Sequence, residues 1–348
     1  MKINKLLTLI ALGGILFTSC SDDNTPDLPK GDYDNGILIS GEGSGASTGS
    51  ISYVSEDFST SENLIYKKVN NSEFGTYLQS MAFDKDRAFV VVDNQNTITA
   101  VDRFTFEKVG SLTESLETPR YMTVAKNKGY VTNWGLKGAF VAVYDMNDYS
   151  FIRKINIGSG PERILERSGK LYVSHKGGFG TNNIISVINI SNDEVVEVEV
   201  NDNPDEMFFD NSGNLVVLCE GKAAWTGDET SASISKINLS NNSVEKLEFE
   251  DGAHPSLMIL DNNKIYYTVN NDVYLVNENA ITLSNTSILT ETTPYGIYGL
   301  AVRNNQLFTI DAGTFTDLAK LNIYDLTTKN SIKSINVGLG ASKIYFNN

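Results

Sequence analysis

Residues 118–130 read TPRYMTVAKNKGY: an apolar anchor, Met122, a short polar turn, then an aromatic, Tyr130, eight positions on. The plan recurs in LQSMAFDKDRAF (78–89), GPERILERSGKLY (160–172), NPDEMFFDNSGNL (203–215), HPSLMILDNNKIY (254–266) and IYGLAVRNNQLF (297–308). The anchors Met81, Met122, Ile164, Met207, Met258 and Leu300 are spaced by 41, 42, 43, 51 and 42 residues. A period of this size marks a propeller or solenoid, whose repeats cannot bury their apolar faces alone.

One copy, residues 119–159, shows what the unit is. Tyr121 to Ala125 turns at Lys126-Asn127-Lys128-Gly129 into Tyr130 to Asn133. After Trp134 to Gly138 come the alternating run Ala139 to Tyr144, Met146-Asn147-Asp148 and finally Phe151 to Ile157. Short runs rich in Val, Ile, Tyr and Phe, punctuated by Gly, Asn and Asp, predict a four-stranded antiparallel meander, strands A to D. A seventh anchor, Ile344, stands in the terminal GASKIYFNN with no partner strand after it, while GILIS (36–40) has no strand A before it. The expectation is an all-β, seven-bladed β-propeller of four-stranded antiparallel blades. Its ring closes when the C-terminal strand A joins N-terminal strands B to D, leaving no open sheet edge there.

The third strand B spells Tyr130-Val131-Thr132-Asn133. Pro119, Pro161, Pro204 and Pro255 stand three residues before their anchors, with Leu78, Ile297 and Ala341 at the other sites. These features resemble the YVTN β-propeller repeat family over about residues 36–348, a likeness that implies fold and leaves activity open.

The first 20 residues are expected to lie outside the fold. Lys2 and Lys5 precede a 12-residue apolar stretch, Leu6 to Phe17, too short to span a bilayer and suited to a signal peptide (1–19). Phe17-Thr18-Ser19-Cys20 resembles a lipobox, with Cys20 the lipidated residue; an ordinary secretory peptide cleaved nearby is the alternative. Ser21-Asp22-Asp23-Asn24 resembles the acidic export signal of Bacteroidetes surface lipoproteins, within a tether expected over 20–35. The implied address is the outer membrane, facing the exterior, with a periplasmic one as the alternative.

Apart from Cys20 the chain has one cysteine, Cys219, expected to be a small buried hydrophobe. The formal charge is −15, and no basic stripe is present, which excludes nucleic-acid binding. No phosphate loop, nucleophile elbow or metal-ligand spacing appears, and with two histidines no catalytic residue, cofactor or metal is expected.

The A–B turns are short and uniform, whereas the B–C loops vary in length and chemistry. Function is therefore expected on the B–C/D–A face. B–C loops carry Trp134, His175, Phe179, Trp225 and Phe315; D–A links carry Tyr77, Arg120, Arg163, Asp205, His254 and Tyr298. Arg120, Glu162, Arg163, Asp205 and Glu206 could instead pair with one another. The 51-residue step contains the longest B–C loop and Trp225, the best pointer to a site.

The chain is also similar to surface cobalamin-capture lipoproteins of Bacteroidetes. That resemblance implies a bound ligand, cobalamin or another corrinoid, passed to a TonB-dependent outer-membrane transporter. A protein- or glycan-interaction module is the alternative. A propeller lyase or hydrolase is the third reading.

Overall fold

A computed structural model describes residues 30–348; the expected signal peptide, Cys20 and most of the tether lie outside them. Seven four-stranded antiparallel sheets form the ring. Strands A are Leu78–Asp84, Pro119–Ala125, Pro161–Arg167, Pro204–Phe209, Pro255–Asp261, Gly299–Arg303 and Ala341–Asn347, in blades I to VII. Blade VII closes as expected: the C-terminal strand pairs with Gly36–Gly41, which pairs with Ser50–Ser55 and then Ser61–Glu62.

The eight-residue spacing of anchor and aromatic is explained by register. Met122 lies opposite Val131, nine residues on, so Tyr130 points to the other face of its sheet. Met122 is buried between blades I and II, and Tyr130 between blades II and III. Each repeat thus feeds two successive inter-blade cores, and each such buried side chain contributes roughly 1.5–3 kcal/mol. Blade IV departs from this. Its turn, Asp210 to Asn214, is longer, so Met207 faces Val217 and Leu215 shares the same core.

The turns follow their residues. Lys126-Asn127, Asn262-Asn263 and Asn304-Asn305 all have positive φ, the conformation of tight hairpins that asparagine tolerates well.

Two details depart from expectation. A short helix, Ile65–Asn70, follows the two-residue outer strand of blade VII; its Ile65 and Tyr66 pack into the core with Phe74. The tether boundary also moves. Tyr33 is buried against the rings of Tyr53 and Phe106, and its N–H donates to the Phe104 carbonyl at 2.9 Å. The Asn347 side-chain amide donates to Tyr33 O at 2.6 Å. Residues 31–35 therefore belong to the ring, because Tyr33 fills its core and ties the two ends together. The chain enters on the A–B side, where Lys30 lies 3.8 Å from Asp86, so the B–C/D–A face points away from the entry.

Candidate functional site

Strands A of successive blades lie against one another and form the inner wall of the ring. Most of them carry a bulge between the proline position and the anchor. In blade II, Pro119 faces Asn133 and Met122 faces Val131, so Arg120 and Tyr121 oppose Thr132 alone. Blade III sets Glu162 and Arg163 against Ser174, and blade IV sets Asp205 and Glu206 against Leu218. A bulge leaves a backbone N–H without a ladder partner and re-aims its side chains. Here the hydroxyls of Thr132 and Ser174 accept those N–H groups, from Tyr121 at 3.0 Å and Arg163 at 3.2 Å. The threonine of YVTN thus supports the bulge that turns Arg120 inward.

The inward side chains form a charged network. The Arg120 guanidinium donates from Nε to both Glu162 oxygens at 3.1 Å and from Nη1 to Asp93 at 2.5 Å. Arg163 donates to Asp205 at 3.0 Å and also pairs with Glu206. Lys176 bridges Asp205 (3.1 Å) and Glu220 (2.6 Å). Arg120, Glu162, Arg163, Asp205 and Glu206 therefore do pair among themselves, linking blades I to IV.

Lys343 completes the wall; its nearest carboxylate is Glu42, at 4.0 Å. Burial lowers its pKa, with Arg163 and Arg120 adding to the effect. Burial pushes Glu206 and Glu220 up to about 7, despite Arg163 and Lys176. For Asp205 burial acts the same way, but Lys176 and Arg163 outweigh it and hold the carboxyl below its usual range. Glu162 is raised by burial. Two neighbouring carboxylates sharing Arg163 are thus pushed apart in acidity.

Aromatic side chains stand above this network. Trp134 lies over the Arg120 guanidinium at 4.0 Å, and Phe179 meets it edge-on at 5.2 Å. The tryptophan Nε1 is buried without a hydrogen-bond partner among the described residues. Tyr298 occupies the inner-wall position of blade VI, where Phe315 packs against it at 5.1 Å and Tyr295 adjoins Phe315 at 5.7 Å. Burial raises the Tyr298 hydroxyl to about 12, with Glu42 nearby. Tyr77 is half exposed.

His175 requires a correction. It ends strand B of blade III rather than lying in a loop, and it is fully buried. Its Nδ1 meets Ser159 O at 3.0 Å and its Nε2 meets Ser186 Oγ at 2.9 Å. Burial drops its pKa to about 4, so it is a neutral core histidine whose nitrogens are both engaged. His254 is half-buried. Its Nδ1 donates to Glu220 O at 2.8 Å and its Nε2 lies 3.2 Å from Glu229, so it clasps the 220–232 loop.

That loop is closed by Lys222–Asp228 and by Thr230–Asp202. Trp225, in the 3-10 turn Ala224–Thr226, projects from it 89% exposed with no aromatic neighbour among the described residues. Cys219 is buried, and burial lifts its thiol to about 11.

Sequence reading missed Asp93, Lys176, Glu220, Tyr121 and Lys343. A rule of taking the two residues before each anchor would have found Tyr121 and Lys343. The others come from strand B ends and loop starts that reach inward, which nothing in the repeat announces. Among the described residues no three His, Cys, Asp or Glu side chains gather to hold a metal ion.

The fold is shared with proteins of unlike description. It is similar to a quinonprotein alcohol dehydrogenase-like protein of Bacteroides thetaiotaomicron, at 13% identity and TM-score 0.68, covering 91% of this chain and 79% of that one. It is also similar to the dihydro-heme d1 dehydrogenase NirN, at 12% identity and TM-score 0.59, covering 92% and 77%. Apo AztD of Citrobacter koseri is another, at 9% identity and TM-score 0.57, covering 89% and 97%. At such identities the likeness concerns the fold alone. No curated protein matches the chain. Residues 35–347 match the family described as a domain of unknown function, DUF5074, and the chain belongs to that family.

Proposed function

We propose that the protein is a surface-tethered binding protein that captures a ligand at the mouth of its central channel. The observation that carries this reading is the pairing of aromatic groups with the charged inner wall. Trp134, with Phe179 against it, stands over Arg120, and Tyr298, with Phe315 against it, lies by Glu42, which faces Lys343. Rigid strands hold the polar groups, while the aromatics offer flat contact area at low entropic cost. Their face points away from the chain's entry at Lys30, so a membrane tether there would leave the mouth open.

The first ligand to test is cobalamin or another corrinoid, large, flat-faced and rich in amides. A TonB-dependent transporter of the outer membrane is the proposed recipient. Both proposals rest on the resemblance to cobalamin-capture lipoproteins, and the lipid anchor at Cys20 on the lipobox-like Phe17-Thr18-Ser19-Cys20. Titration with cyanocobalamin tests the ligand: saturable binding that Trp134→Ala weakens supports it, and no binding at micromolar protein removes it.

A docking module for a protein or glycan is the second reading, favoured by Trp225, Leu136 and Phe179, each at least 80% exposed in B–C loops. It predicts that Trp225→Ala disrupts a surface complex while no small ligand changes the melting temperature.

A further inference from the structure

The seven repeats provide their own comparison at the last rung of each A–B hairpin. There Asp84 faces Arg87 and Asp261 faces Lys264, opposite charges directly across the ladder. Ala125 faces Lys128, Arg303 faces Gln306, Asn347 faces Gly36 and Phe209 faces Leu215, with one charge or none. Blade III alone sets two cations against each other, Arg167 and Lys170. Directly opposite residues project from the same face, and like charges there repel. In a chain of net charge −15 such a pair runs against composition.

The surroundings do not neutralise it. Arg167 and Lys170 line a cleft of about 500 Å³ between blades III and IV, together with Ser212, Gly213, Asn214 and Ser240, and no Asp or Glu lines it. The nearest acid in sequence, Glu166, caps this same turn, accepting the Gly169 N–H at 2.8 Å, and does not line the cleft. Arg167 is held over the Phe209 ring at 4.9 Å. The blade IV turn closes against it at Gly213, where φ is +85° and a Cβ would lie 3.3 Å from the guanidinium. A third cation, Lys126, reaches the blade III turn between Arg167 and Lys170, its Nζ 3.7 Å from a Cβ built on Gly169.

We propose that this cleft on the A–B face binds a phosphate-bearing ligand, with Arg167 and Lys170 as the charge partners and the Ser212 hydroxyl and Asn238 amide as hydrogen-bonding groups, since Asn214 and Ser240 already donate to Asp210 and Asn238. A planar guanidinium beside an ammonium, with a hydroxyl and an amide nearby, suits the acceptor oxygens of a phosphate group. Bound phosphate would attract both cations and so offset the repulsion between them. The site lies at the end of the ring opposite the channel mouth, so it is independent of the function proposed above. The phosphate could belong to a membrane headgroup, since this face adjoins the chain's entry, or to a soluble phosphorylated compound.

The test measures melting temperature in inorganic phosphate against chloride at equal ionic strength, and co-flotation with phosphatidylglycerol or phosphatidylcholine vesicles. Phosphate is expected to raise the melting temperature, and Arg167→Gln is expected to weaken binding by about tenfold or more. Lys170→Glu should pair with Arg167, raising the melting temperature without ligand while abolishing the phosphate response. Flotation with phosphatidylglycerol alone, lost in Arg167→Gln, identifies a headgroup; a phosphate response without flotation identifies a soluble ligand. Equal behaviour in phosphate and chloride together with no lipid preference overturns the proposal, as does a phosphate response that survives both substitutions.

Discussion

Two arcs of the inner wall occupy equivalent places in the fold and are built from unlike chemistry. From blade II to blade IV these positions carry Arg120, Glu162, Arg163, Asp205 and Glu206, and Arg120 and Arg163 join blade to blade, reaching blade I through Asp93 after its strand B. From blade V to blade VII the equivalent positions hold Ser256 and Leu257, Tyr298 and Gly299, then Ser342 and Lys343. Gly299 is pressed against the backbone of its neighbour, where a Cβ would lie 2.5 Å from Ser342 O. The backbone device is general, and the chemistry is written on it residue by residue. Blade contacts can therefore be ionic on one side of the ring and steric on the other while the fold stays the same.

The largest effect should come from cutting the ionic arc at its centre. Arg163→Ala leaves Asp205 and Glu206 without their shared partner and is expected to cost about 3–5 kcal/mol in denaturant unfolding. The matched change on the other arc, Leu257→Ala, removes a half-buried side chain and should cost roughly 1–2 kcal/mol, below the range for a fully buried leucine. Equal losses would erase the distinction between the arcs.

His175 adjoins the ionic arc without belonging to it. His175→Leu would strand Ser159 O and Ser186 Oγ, at about 1–3 kcal/mol. Ligand capture at the mouth should be unchanged, and a loss of capture without a loss of stability would return His175 to the site.

The ionic arc should also give stability an unusual pH profile. Glu206 and Glu220 titrate near 7 in the folded protein because burial disfavours their charge, whereas free glutamate titrates near 4.3. Between those values the folded state holds protons that the unfolded state has released, so stability should rise as pH falls from about 7.5 to about 5. Asp205, held low by Lys176 and Arg163, has the opposite sign: its contribution is present above the unfolded value and is lost at lower pH. Melting temperature should therefore peak on the acid side of neutrality, and Glu206→Gln should flatten the slope above the peak. A profile rising steadily from pH 5 to pH 8 would contradict this account.

The smallest change in stability belongs to Trp225→Ala, expected within about 0.5 kcal/mol because the ring is exposed. Its value lies in binding. If capture falls with Trp225→Ala and not with Trp134→Ala, the site is the projecting loop and not the channel mouth.

Much of this was legible in the chain. The anchors gave the blade count and the closure, and the contrast of uniform turns with varied loops picked out one face. Arg120, Arg163 and Asp205 stand out because the D–A links share an end of the ring with the varied B–C loops. His175 was misplaced because a strand end and a loop start look alike in sequence, and only burial separates them. Lys176, Glu220 and Asp93 were missed because they leave different strands and meet only across blades.

The sequence by itself determined the seven-bladed ring, since a 42-residue period of strand-length apolar runs ends in a lone strand A whose missing partners stand at the start of the chain. It did not determine which charges meet. That was decided by the bulges in strands A and by the register of each hairpin, which set Arg163 beside Asp205 and Glu206, and Arg167 opposite Lys170. Periodicity is a local property that a chain carries along its length, whereas a pairing between residues some 40 positions apart exists only once the ring has closed.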